Sequence, residues 1–422
     1  MVKLCEFDYQ GMKIKEYHFS VPIDYFDLKS KNIKIFAREI SGDHLNSNRL
    51  PYLLFLQGGP GYESPRPLTK SGWLNRALKD YKVLLLDQRG TGLSSSISDQ
   101  SFENMSDKKT SEYLTHFRAD NIVRDAEYIR KKLINKEKWN VLGQSFGGFC
   151  AVTYLSYYPD SLNKVFIAGG IPPANAHPDD IYRATYKRVI SKNKEFYELF
   201  PESKEKVKRI VKHLSVNIEY LPNGDVLTVN RFQQLGLILG FSDGMATLNY
   251  LIENSFGSNN KMTYNFLKNI YSIQSFDTNP IFSILHEACY AQGFATNWSA
   301  ERIKYEFSNF KIKQKNKFFF TGEMIYPWMF DCYCQLKKLK GASEILAKKE
   351  DWPVLYNTEN LKKNKVKVAA VIYTNDMYVD RNFSIDTSKY ISNISIWETD
   401  QYEHNGLRSN GKDILDVLFD KI

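Results

Sequence analysis

The chain has 422 residues, 43% hydrophobic and 25% charged, the balance of a globular protein long enough for two or three domains. Its formal charge of +9 is spread along the sequence; the lysine-rich runs 192–212 and 336–349 read as solvated helix faces, and with no nucleic-acid-binding motif beside them a nucleic-acid role is excluded. No stretch approaches eighteen consecutive apolar residues, which excludes a membrane-spanning helix.

The N-terminus, Met-Val-Lys-Leu-Cys-Glu-Phe-Asp, has neither an apolar h-region nor a small-residue cleavage site, so a soluble cytoplasmic protein is expected. Residues 12–40 alternate apolar and polar side chains and predict antiparallel strands. Pro51–Gln57 and Lys82–Asp87 are near-continuous apolar runs, as expected of strands buried on both faces of a sheet. Residues 121–134 predict an amphipathic helix, with Ile122, Val123, Ala126, Ile129, Leu133 and Ile134 on one side. Trp139–Leu142 predicts a buried strand, Phe149–Tyr158 a helix stopped before Pro159, and Lys164–Gly170 the next strand. Strands alternating with helices imply a parallel α/β sheet.

The pattern changes at Ile171-Pro172-Pro173. From there to about Asn357 the periods are helical, at 179–192, 204–214, 231–239, 245–254 and 280–291, with one hairpin expected from 216–220 and 226–229 through Pro222-Asn223-Gly224. Strand patterns return at Val366–Tyr373 and Ile394–Trp397, and a closing helix is expected near 413–421. Residues 1–170 and 358–422 are therefore expected to form an α/β body, and 171–357 a mainly helical inserted cap. The 27 Tyr and 27 Phe suggest an aromatic-lined pocket or lid, although core packing accounts for most of them. Five cysteines, at 5, 150, 289, 332 and 334, fit buried free thiols in a reducing compartment. Cys332-x-Cys334 has the wrong spacing for a metal-binding pair and no histidine cluster beside it, so zinc is not expected.

Chemistry concentrates at Gly143-Gln144-Ser145-Phe146-Gly147-Gly148. A G-x-S-x-G run between strand and helix is the setting of a nucleophile elbow, as in the α/β-hydrolases. The two flanking glycines let strand and helix approach, and Ser145 is the expected nucleophile. In that fold the order along the chain is serine, acid, histidine. Of seven histidines only His404 follows the last sheet strands, so it is the expected base. Asp376 and Asp380 compete for the acid; Asp376 is preferred because it closely follows a strand, and Asp380 then caps the next segment. The oxyanion donors are expected from the N–H of Phe146 and from the run Gly58-Gly59-Pro60-Gly61, with Gly58 and Gly59 equally eligible. Arg89 is expected to hold its loop by pairing with backbone or a carboxylate.

These motifs, together with Asp87-Gln88-Arg89-Gly90-Thr91-Gly92-Leu93-Ser94 and Tyr402-Glu403-His404, resemble those of the proline iminopeptidases, serine peptidases of the α/β-hydrolase fold. The likeness is to longer members, which carry stretches similar to His286–Tyr290 and Thr321–Trp328. Many members have His where this chain has Gln57. The resemblance implies release of N-terminal proline from small peptides, with no metal or organic cofactor. It further implies that Glu287 and Glu323 hold the substrate ammonium, with Tyr290, Tyr326 and Trp328 beside them and Phe146 in the ring pocket. Two other readings use the same residues: a serine esterase or lipase-like hydrolase, and a non-catalytic binding protein on this scaffold.

Overall fold

The computed structural model describes residues 1–44, 46–274, 276–312 and 317–422. Among the described residues nine strands form one sheet: β1 (Val2–Tyr9), β2 (Met12–Pro22), β3 (Asn32–Gly42), β4 (Tyr52–Leu56), β5 (Lys82–Leu86), β6 (Trp139–Gln144), β7 (Leu162–Ala168), β8 (Lys367–Tyr373) and β9 (Ile394–Thr399). Their order is β1-β2-β3-β5-β4-β6-β7-β8-β9. β1, β2, β3 and β5 pair antiparallel, and the run from β5 to β9 is parallel. The apolar runs become the central strands: every residue of β4 and β6 is buried, because helices cover both faces of a parallel sheet. Helices Ala119–Ile134 and Phe146–Tyr157 supply one core; Gly72–Ala77 and Gly411–Asp420 supply the other.

The register levels the carboxyl ends of the parallel strands. Leu56 pairs with Gly143, Gln144 with Ala168, Ala168 with Val371, and Tyr373 with Thr399. The loops carrying residues 57–61, 145, 374–380 and 400–406 therefore emerge along one edge, where ligands bind in open α/β sheets.

Between β7 and β8 the elements are helical, beginning with the long helix Pro178–Leu199. The insert and the helix-covered sheet face share one hydrophobic cluster, running from Phe149 and Val165 through Tyr182, Tyr290 and Tyr326. Expected helices break where the sequence asked for continuity. The 231–239 stretch is a short α-helix, Val229–Gln233, followed by a 3-10 turn, Gln234–Gly240. The 280–291 stretch splits at His286 into Pro280–Leu285 and the 3-10 turn Glu287–Cys289. The expected hairpin reduces to one bridge, Tyr220 to Val226, because Thr228 already caps the next helix.

Three other expectations need correction. β1 was not foreseen; all eight of its residues are exposed, so burial imposes no pattern on it. Only Cys150 and Cys289 of the five free cysteines are buried, and Cys5 lies exposed on β1. Lys192, placed by composition on a solvated face, is 3% exposed.

Arg89 holds its loop as expected. Its guanidinium donates to both carboxylate oxygens of Asp125, at 2.8 and 2.6 Å, and to the carbonyls of Ile23 and His116. Both side chains are fully buried. Arg89→Met is expected to cost about 3–5 kcal/mol, because it strands the Asp125 charge in the interior; the measurement is the urea midpoint.

Candidate active site

β6 ends at Gln144 and the next helix starts at Phe146, leaving Ser145 alone at φ 55°, ψ −126°. Such a conformation costs a non-glycine residue about 1–3 kcal/mol and persists only where its surroundings hold it. Here Ser145 N donates to Ala168 O at 3.0 Å, and Gly148 N donates to Ser145 O at 2.7 Å. A Cβ on Gly143 would lie 2.3 Å from Gly147 O, and one on Gly147 would lie 1.9 Å from Leu56 O. The two glycines are thus what allows strand, helix and β4 to close around the serine.

His404 follows β9 and faces Ser145 across the sheet edge. Its Nε2 is 2.9 Å from Ser145 Oγ, and its Nδ1 is 2.6 Å from Asp376 Oδ2. The other Asp376 oxygen accepts from Tyr378 N at 2.8 Å and Val379 N at 3.1 Å, which fixes the carboxylate. Asp376 and His404 are buried, and the Tyr378 ring packs 4.6 Å from the imidazole, centroid to centroid. An imidazole that donates its Nδ1–H to a carboxylate presents an unprotonated Nε2 to the hydroxyl, the arrangement needed to take a proton from it. Asp380 is spent elsewhere: it caps helix Arg381–Ser388, accepting from Asn382 N and Phe383 N.

Of the two eligible glycines, Gly58 lies against the serine, since a Cβ built on it would be 3.0 Å from Ser145 Cβ. Gly59, at φ +136°, faces Gly61 and Tyr62 instead. Phe146 opens its helix, where first-turn N–H groups have no intrahelical acceptor. At Gln57 the backbone carbonyl accepts from Gln88 Nε2 at 3.0 Å, a contact indifferent to the side chain at that position.

Two carboxylates of the insert are in different states. Glu287 is 7% exposed and both its oxygens are engaged, accepting from Ser299 N at 3.1 Å and Ala300 N at 2.9 Å at the start of helix Ser299–Lys304. Burial pushes its pKa up to about 7 against those bonds. Glu323 is half-buried and takes no hydrogen bond or ion pair among the described residues. Burial, and then the nearby charge of Asp376, raise its pKa well above the carboxylate range. Tyr290 and Tyr182 connect the two sites, each sensing both glutamates. Tyr182, Tyr290, Phe149 and Phe146 form a chain of ring contacts 5.9–6.3 Å apart that ends beside Ser145.

Tyr326 and Trp328 are not joined to the relay by any ring contact or hydrogen bond among the described residues. They stack on each other; Tyr326 bonds the hydroxyl of Tyr186 at 3.0 Å, and Trp328 lines a separate cavity with Glu301, Lys304 and Phe310. Tyr182 and Tyr378 escaped the sequence reading, although Tyr182 sits on the buried stripe of its helix, which also holds Ile181, Thr185, Tyr186 and Val189. Glu287→Ala leaves two backbone N–H groups without an acceptor. It is expected to lower stability by about 2 kcal/mol or more, read as a fall in the urea midpoint.

The α/β hydrolase fold family matches residues 51–207. A proline iminopeptidase of Aeromonas sobria is 46% identical over 409 residues, spanning 97% of this chain and 96% of its own length. The chain belongs to the proline iminopeptidase family. Another proline iminopeptidase, from Aspergillus aculeatus, is 35% identical over 96% of this chain and 93% of its own. A solved proline iminopeptidase from Mycobacterium smegmatis is a remote likeness, at 12% identity and a TM-score of 0.46 over 96% of this chain and 97% of its own. No helix among the described residues is long and apolar enough to cross a membrane.

Proposed function

We propose that the chain is a serine exopeptidase that releases proline from the N-terminus of peptides. The observation that carries this reading is the hydrogen-bonded series Asp376–His404–Ser145 beside a carboxylate, Glu323, that has no hydrogen-bond or ion-pair partner among the described residues. Ser145 Oγ attacks the prolyl carbonyl carbon while His404 Nε2 takes its proton, and Asp376 steadies the imidazolium. The N–H of Phe146 and that of Gly58 or Gly59 receive the oxyanion. His404 then gives the proton to the leaving amine. Water, deprotonated by the same imidazole, attacks the acyl-enzyme and frees proline. The cycle requires no metal and no organic cofactor.

Selectivity for a free N-terminus follows from the carboxylates. Glu323, with Glu287 as the second carboxylate, meets the prolyl ammonium, and a charge-assisted bond gains strength in a site with little water. A blocked N-terminus brings no cation, and an extended one carries its cation further upstream, so neither pairs with Glu323 at the prolyl nitrogen. Phe146 and Tyr290 enclose the ring. Tyr326 and Trp328 stand apart from this wall, with contacts to Tyr186 and Lys304. Residues 171–357 act as a cap over the body formed by 1–170 and 358–422. A cytoplasmic setting is supported by five free cysteines. The test against an esterase is direct: a proline chromogenic amide should be cleaved far faster than an acetyl ester, and activity confined to the ester would refute the peptidase reading.

A further inference from the structure

Lys192 sits on the helix Pro178–Leu199 with its side chain 4% exposed, and its ammonium is bonded to Glu403, the residue before His404. Its other carboxylate neighbour, Glu195 at 3.4 Å, is half exposed. The second oxygen of Glu403 is buried and has no partner among the described residues. A buried ion pair is not an efficient source of stability, because the desolvation of both charges offsets their attraction. Nor does any step proposed above use it.

Its position suggests another purpose. The loop 403–405 is held by the insert at several points and not by the sheet alone. His404 N donates to Gly240 O at 3.3 Å. Asn405 accepts from Ser242 N at 3.0 Å and donates to Ser242 Oγ at 3.2 Å. Tyr378, whose ring flanks the imidazole, donates its hydroxyl to Leu237 O and stacks on Phe241. The segment 237–242 thus grips the base loop from one side, and Lys192 reaches it from the long helix.

We propose that the Lys192–Glu403 pair is a positioning device that fixes the His404 loop to the insert, so that the alignment of the base with Ser145 depends on the cap. Both are positioning residues, acting through His404 without touching substrate. The inference rests on His404 being the base, as in the function proposed above, but not on proline being the substrate.

The test uses the full-length enzyme and three variants, Glu403→Gln, Lys192→Met and the double variant Lys192→Met/Glu403→Met, with the folded fraction of each measured by near-ultraviolet circular dichroism. Two rates are compared per folded molecule: kcat on a proline chromogenic amide, and covalent labelling of Ser145 by a fluorophosphonate, which needs the relay and no prolyl group. The single variants are expected to lose about tenfold to a hundredfold in both rates, the scale of an ångström-sized misplacement, with KM within about threefold of the parent. The double variant should regain thermal stability, since an apolar pair of similar volume tolerates burial, while both rates stay low. A double variant with parental kcat and labelling would overturn the proposal. So would single variants whose loss follows the folded fraction alone. A parent that labels but cleaves no prolyl amide would count against the substrate assignment, and the labelling comparison would still decide the role of the pair.

Discussion

Ser145→Ala is expected to reduce cleavage of a proline chromogenic amide by about a millionfold, toward the residual rate that binding and oxyanion donors sustain without a nucleophile. The fold should survive. Ser145 takes part in its surroundings chiefly through its backbone, with N bonded to Ala168 O and O receiving Gly148 N, and alanine keeps both. The strained φ of 55° stays strained for alanine, so a small fall in the thermal midpoint is expected beside an unchanged circular dichroism spectrum. KM should change little, because the carboxylates and aromatic rings proposed to receive proline remain. Substantial retained turnover in this variant would remove Ser145 from the chemistry.

The second large effect belongs to Glu323. Glu323→Gln keeps the shape and loses the charge, and KM for a prolyl amide is expected to rise about thirtyfold or more, the counterpart of about 2 kcal/mol for a desolvated ionic contact. No stability should be lost, since Glu323 holds no hydrogen bond or ion pair among the described residues. That separates it from Glu287, whose oxygens cap a helix. The pH dependence carries a sign. Burial and Asp376 raise the pKa of Glu323, so at lower pH the empty site holds a neutral acid. A prolyl ammonium needs the anion and must displace that proton. The kcat/KM of the parent should therefore climb as pH rises through the shifted value, and fall again once the substrate amine is itself neutral. Glu287, at about 7, adds to the same rising limb. In Glu323→Gln the part of that limb that Glu323 supplies should vanish. A profile that superimposes on the parent would take Glu323 out of amine recognition.

Much of the catalytic framework was legible because it depends on local patterns. The runs that became β4, β5 and β6 are mostly apolar with no period-two alternation, as expected of a sheet covered on both faces. The elbow could be read from its glycines, each fixed by a backbone approach that excludes a Cβ. His404 followed from chain order and Asp376 from its place just after a strand, and the structure brings their side chains to Ser145. The insert was less legible because its contacts are long-range. Nothing near residue 192 in the sequence reveals that its ammonium meets Glu403, although Lys192 falls on the same helical stripe as Val189, Asn193 and Phe196. Glu287 and Glu323 looked alike by resemblance; only three-dimensional hydrogen bonding separates a carboxylate already engaged from one with no partner among the described residues. β1 carries no burial signal at all.

The most direct measurement of the central claim compares proline p-nitroanilide with its N-acetyl counterpart at equal concentration on the intact enzyme. The account predicts rapid cleavage of the compound with the free amine and a rate for the blocked compound lower by about a hundredfold or more, since the carboxylates are left without a cation. Equal cleavage of both would contradict it, for the serine would then act without reading the N-terminus.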